Sequence, residues 1–149
     1  MISSKCKYAI RAVIYLATKD ASKTRLGGQH IAEALDLPLA FTNKILQELS
    51  RKNVINSFKG PKGGFALTEI QKQNSILFII EAIDGLAVFY RCGMGLDHCS
   101  DAQPCPFHDT FKKIREELLS TFKNRIISDF TADDIDVTFF LSNTTRNVI

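Results

Sequence analysis

The chain has 149 residues, 45% apolar and 23% charged, a mixture that excludes a wholly disordered polypeptide and suits one compact domain or two small units sharing a core. Its net charge of +3 conceals an asymmetry: residues 1–66 hold 11 Lys and Arg against 4 Asp and Glu, a balance of +7, while residues 67–149 hold 8 against 12, a balance of −4. No apolar run approaches the ~20 residues of a membrane-spanning helix, and so basic a front half reads as a surface for a polyanion.

In chain order, Cys6, Ala9, Ile10, Val13, Leu16 and Ala17 recur at helical spacing and predict a first helix over residues 4–18. Arg11 interrupts its apolar run and no small-residue cleavage site follows, so the segment reads as a helix rather than a signal peptide. The protein is therefore expected in the cytoplasm, where its four cysteines would not form structural disulfides. Residues 20–28 are a polar loop, and a second helix is predicted over 28–35 with Ile31, Ala34 and Leu35 inward. Asp36-Leu37-Pro38 breaks the pattern, because proline disfavours helical geometry in the residue before it and fits the first turn of the next helix.

A third helix is predicted over 39–51, with Phe41, Ile45, Leu46 and Leu49 as its buried stripe and Thr42, Asn43, Lys44 and Gln47 outward. Two helices around such a turn form a helix-turn-helix. Two β-prone segments, 54–58 and 65–67, then flank Lys59-Gly60-Pro61-Lys62-Gly63-Gly64 and predict a hairpin. At its tip Lys59 and Lys62, beside Pro61 and Gly63, are placed to reach phosphates or a minor groove. Three helices and this hairpin make a DNA-binding winged helix over residues 1–67.

Residues 68–91 are expected to contribute a core helix from Ser75, a natural N-cap, to Asp84, stopped by Gly85 and apolar nearly all round. A long helix is predicted from Pro106 to Ile127, with Phe107, Phe111, Ile114, Leu118, Phe122 and Ile126 in one stripe. At ~1.5 Å per residue it would extend ~30 Å. Packing against a second copy is the economical way to bury that stripe, so a twofold homodimer is expected through Phe111, Ile114, Leu118, Phe122 and Ile126. A short final helix from Thr131 to about Leu141 completes the 106–149 segment. The fold class is mainly α: a winged helix-turn-helix with a small two-stranded wing and a long C-terminal dimerisation helix.

Between these helices, residues 92–108 place Cys92, Cys99, Cys105 and His108 in a loop lightened by Gly93, Gly95 and Pro104. Several soft donors converging from one short loop can hold a metal. Structural zinc favours closer cysteine pairs, whereas gaps of six and five residues suit an iron–sulfur cluster. Pro106 at the first helical position would bring a helix's positive end beside Cys105 and His108, favouring thiolates. Cys6 reads as a small core residue and, with Tyr8, as a minor candidate for a fourth ligand supplied by a partner chain. No base stands beside an activated nucleophile, His30 reads as helix packing, and no enzymatic activity is expected.

Lys7-Tyr8-Ala9, Ile45-Leu46-Gln47-Glu48-Leu49, the wing Lys59-Gly60-Pro61-Lys62-Gly63-Gly64-Phe65 and the three cysteines resemble the Rrf2 family of bacterial winged-helix transcription regulators. The resemblance spans about residues 1–127. It implies a homodimer reading a palindromic operator, with the helix around Leu39, Ala40, Phe41, Thr42, Asn43 and Lys44 in the major groove and the wing lysines near the minor groove. It also implies a cluster on Cys92, Cys99 and Cys105. His108, three residues after the last cysteine, stands where cluster-bearing members carry their fourth ligand, which favours a 2Fe–2S centre over a 4Fe–4S one. The first cysteine gap holds six residues where the family usually has five. The resulting expectation is a repressor controlled by its cluster. Its rivals are a metal-free thiol redox switch on the same scaffold and a small electron-transfer iron–sulfur protein.

Overall fold

The computed structural model describes residues 2–97, 100–131 and 141. Helix α1 (Ser4–Ala17) is the spine of the front half. The Ser3 hydroxyl accepts from the Cys6 N–H at 3.0 Å and starts it. The anticipated apolar face is buried apart from the half-buried Ile10, and Ala12, Ile14 and Tyr15 are buried as well. The helix is thus enclosed on most sides, by α2 (Gly28–Leu35), α3 (Leu39–Arg51), strand β2 (Gly64–Ala66) and α5 (Ile76–Asp84). Arg11 is tolerated in this setting because its guanidinium donates to the carbonyl of Leu35 at 2.7 Å and to that of Leu141. It thereby satisfies a carbonyl at the end of α2.

Helix α2 stops at Asp36, which adopts a left-handed conformation (φ 50°), and the Leu37 N–H returns to the Ala32 carbonyl at 2.9 Å. Pro38 then caps α3, giving the tight turn that its position suggested. Val54 and Ile55 enter the core ahead of strand β1 (Asn56–Phe58), which pairs antiparallel with β2 in the register Asn56↔Ala66, Ser57↔Phe65, Phe58↔Gly64. A four-residue helix, α4 (Glu69–Lys72), follows. Thr68 and Gln71 form a reciprocal capping box there, a local signal that the sequence contains and that the predicted elements omitted.

Helix α5 begins at its Ser75 cap and ends at Gly85, as expected. Ile76, Ile79 and Ile80 are buried, but Leu77, Phe78 and Ile83 are only half-buried, so α5 is less deeply sunk than its all-round apolarity implied. A 3₁₀ turn at Ala87–Phe89 leads into the cysteine loop. Helix α6 (His108–Lys123) runs back along α5, two residues shorter at its start and four at its end than predicted. Pro106 is not its first residue; Phe107 is the N-cap.

Ile126 is not helical either. It is extended and bridges Ser75, while the Ile76 N–H donates to the Arg125 carbonyl and the Ile127 N–H to the Asn74 carbonyl, both at 2.9 Å. These bonds replace continued helix because they fasten the end of α6 to the start of α5 and let Ile127 become fully buried. The expected helix over 131–141 lies outside the described residues except for Thr131 and Leu141. Among the described residues no helix is long and apolar enough to cross a membrane.

Candidate nucleic-acid interface and thiol site

The outer face of α3 carries Leu39, Ala40, Phe41, Lys44 and Gln47, all exposed. Thr42 departs from expectation. It is 2% exposed, and its hydroxyl donates to the Pro38 carbonyl at 3.0 Å. The buried row is Thr42, Ile45, Leu46 and Leu49, an i, i+3, i+4, i+7 series, so Thr42 takes the place expected of Phe41 while the other three positions are buried as predicted. Phe41 instead sits at the edge of the surface, 37% exposed and edge-on to Tyr8 at 5.7 Å between ring centroids. Bonding to the carbonyl four residues back lets a threonine hydroxyl be buried at little cost. Asn43 is half-buried, its amide pressed over Gly28 so closely that a Cβ there would lie 1.8 Å from Oδ1.

The wing lies beside this face. Lys59, Pro61 and Lys62 are exposed and Gly63 is half-buried at its tip. No Asp or Glu occurs between Glu48 and Glu69, so nothing in that stretch neutralises Arg51, Lys52, Lys59 or Lys62. Gly64, at φ +140°, allows the segment before α2 to pack on the hairpin, since a Cβ there would come within 2.8 Å of the Leu26 backbone. Leu26 and Phe65 exchange N–H···O bonds of 3.0 and 2.8 Å at this contact.

The cysteine loop closes on α6. A Cβ at Gly93 would fall 2.6 Å from the Phe111 ring, so only glycine lets the chain turn there. The Met94 N–H, the Leu96 N–H, Cys105 and the nearby Arg115 charge hold the Cys92 thiol below its usual range. Converging backbone N–H groups of this kind stabilise a thiolate. Cys99 and His98 lie outside the described residues.

His108 is 5% exposed, and its Nε2 lies 2.7 Å from Asp101 Oδ1. Lys112 Nζ meets the same carboxylate at 3.0 and 3.1 Å and, with His108, holds it below the usual carboxylate range. His108 lines a cavity with Asp101 and Lys112, whereas Cys92 lines a separate groove of about 580 Å³ with Gly93, Phe111, Ile114 and Leu118. The thiols of Cys92 and Cys105 are thus brought together. Among the described residues, however, no three His, Cys, Asp or Glu side chains converge as a metal site.

The donor chemistry nevertheless fits an anionic cluster. Two soft thiols lie near one another with N–H donors ready to offset negative charge, and the Asp101 carboxylate fixes the ring of His108.

Along α6, Ile114 is 52% exposed while Phe111, Leu118 and Phe122 are half-buried, the last edge-on to Phe89. Ile126 belongs to the Ser75 bridge described above rather than to this helical stripe. Elsewhere, Cys6 is fully buried, and burial together with Asp84 pushes its thiol up to about 12. His30 packs against Tyr15, its Nε2 3.2 Å from the phenol oxygen.

The chain is 29% identical over 131 residues to a protein of Aquifex aeolicus named as an HTH-type transcriptional regulator, covering 87% of this chain and 90% of that one. Its fold resembles that of CymR, the global cysteine regulator of B. subtilis, with a TM-score of 0.70 at 18% identity over 88% of this chain and 95% of that one. It resembles equally the fold of T. potens IscR, with a TM-score of 0.70 at 16% identity over 91% of this chain and 89% of the other. The Rrf2 profile, described as an iron-dependent transcriptional regulator, matches residues 2–133. A winged helix with an acid-free basic tip, followed by a thiol-bearing loop and matched along nearly its whole length, therefore belongs to the Rrf2 family of transcription regulators.

Proposed function

We propose that this regulator binds a palindromic DNA operator as a homodimer and that an iron–sulfur cluster on Cys92, Cys99, Cys105 and His108 controls the binding. The observation that carries the proposal is that the Met94 and Leu96 N–H groups and Cys105 lie close enough to the Cys92 sulfur to hold its thiol below the usual range. When bound, the cluster supplies an iron- and redox-sensitive cross-link among these side chains; a 2Fe–2S form suits a donor set of three thiols and one imidazole. Leu39, Ala40, Phe41, Lys44 and Gln47 are the residues offered to base edges, Asn43 supports the α2–α3 crossing, and Lys59 and Lys62 are offered to the backbone.

The exposed Ile114 and the half-buried Phe111, Leu118 and Phe122 supply the apolar surface that a second copy would cover. Because the cysteine loop joins α5 to α6, a change in loop shape would alter how the two copies set their recognition helices apart. Repression is the simplest outcome of operator occupancy.

Anaerobically prepared protein is expected to be brown, with stoichiometric iron and sulfide. Its operator affinity should differ from that of the Cys92→Ala, Cys99→Ala, Cys105→Ala triple variant. Equal affinities, or the absence of iron, would overturn the cluster reading.

A second reading draws on the same observation. Two nearby thiols, one of them lowered, suit a metal-free switch in which a peroxide or disulfide oxidant takes two electrons and two protons and leaves a Cys92–Cys105 disulfide. A mass loss of two hydrogens on oxidation of iron-free protein, accompanied by a change in DNA affinity, would favour it. Family membership sets aside the electron-transfer alternative and an enzymatic role.

A further inference from the structure

We propose that residues 24–26 form a third element of the DNA-contacting wing and that Arg25 clamps the phosphodiester backbone of duplex DNA. The inference rests on the reading that the basic front half binds DNA, and it adds a contact on the chain segment between α1 and α2. The two Leu26–Phe65 hydrogen bonds hold this segment alongside β2. Successive side chains on an extended segment point to opposite faces. Leu26 is buried, and Arg25 is exposed.

The Arg25 guanidinium is then fixed by a specific contact. Its central carbon lies 3.8 Å over the centroid of the Phe58 ring, at the end of β1. A guanidinium stacked on an aromatic face loses mobility but keeps its edge donors in plane, a fork that matches two phosphate oxygens. No carboxylate pairs with Arg25 among the described residues, whereas neighbouring Lys23 is met by Asp20 at 3.3 Å.

Ser22, Lys23, Arg25, Pro61, Lys62 and Gly63 border one cleft of about 530 Å³ between this segment and the wing tip, with room for a sugar–phosphate unit. The cleft holds three cations, one of them countered by Asp20, and opens beside the acid-free stretch from Leu49 to Thr68. Such a site recognises phosphodiester oxygens and carries no base information.

The test measures binding of full-length wild-type, Arg25→Ala, Arg25→Lys and Phe58→Leu proteins by fluorescence anisotropy across a salt series. The probes are a mixed-sequence duplex and a duplex selected from random DNA by the wild-type protein. Arg25→Ala should weaken both duplexes by the same factor, roughly tenfold, and lower the log–log salt slope by about one. Arg25→Lys should keep the slope and recover part of the affinity, and Phe58→Leu should lose affinity with the slope intact. Unchanged affinity and slope in a folded Arg25→Ala protein would overturn the clamp, as would a loss confined to the selected sequence. Competition by inorganic phosphate beyond its ionic strength would likewise overturn it, in favour of a free-anion site. If wild-type protein shows no salt-dependent binding to either duplex, the DNA reading itself fails; a wild type that binds while Arg25 proves inert leaves that reading standing.

Discussion

Two cysteines of this chain occupy opposite extremes. Cys6, on α1, is sealed inside the winged helix, where burial and Asp84 push its thiol up to about 12. Cys92, on the loop before α6, is half-exposed and has backbone N–H groups turned to its sulfur, which hold its thiol below the usual range. The same side chain is an inert filler in one region and a reactive donor in the other. Chemistry therefore follows packing: the front half is a frame that holds a surface still, and the rear loop is a site whose groups remain accessible.

The largest expected effect is on thiol reactivity. At neutral pH a thiol near 12 rather than 9.0 holds roughly a thousandfold less thiolate, one decade per pH unit. In iron-free native protein, alkylation followed by mass spectrometry should mark Cys92 rapidly and Cys6 only as fast as the protein unfolds. Comparable rates at the two positions would erase the contrast.

Core substitutions should separate the regions next. Leu46→Ala removes a fully buried α3 side chain and should cost about 2–5 kcal/mol in urea unfolding. Ile114→Ala on the exposed α6 face should change monomer stability by less than about 0.5 kcal/mol. Ile114→Asp, by contrast, should shift sedimentation from dimer to monomer.

Alkaline pH gives a smaller and graded test. The folded state holds the Cys6 proton above the unfolded value, so its contribution to stability is complete below about pH 9 and is lost as pH rises toward about 12. Over that window wild type should lose up to about 1.4 kcal/mol per pH unit more than Cys6→Ala, measured by denaturant unfolding at each pH.

A small effect is expected at Thr42. Thr42→Val deletes the hydroxyl that bonds the Pro38 carbonyl and should cost about 1 kcal/mol of stability without altering which DNA sequences are preferred. A changed base preference would return Thr42 to the recognition surface.

Much of the frame was legible because its signals are local. The Ser75 hydroxyl, Pro38, Gly85 and the 3.6-residue spacing of apolar side chains delimit α1, α2, α3 and α5 to within a residue or so. The hairpin was legible from its glycines, and Cys92 and Cys105 from their shared loop. Phe41 misled because a phenyl ring outranks a threonine in apolarity, yet the internal bond to Pro38 let Thr42 take the buried position. Arg25 carried no local signal at all, since its role arises only when Phe58, 33 positions later, comes beneath it.

By itself the sequence determined where α1, α2, α3 and α5 start and stop, the charge asymmetry, and the soft donors of the 92–108 loop, because each depends on residues a few positions apart. Only the tertiary structure decided that α3 turns its Thr42 row inward, that Ile126 leaves the helix to pair with Ser75, and that His108 meets Asp101. It likewise decided that Arg25 lies on Phe58. Those outcomes depend on which surfaces meet and whether their polar groups find partners, a competition that no local pattern encodes.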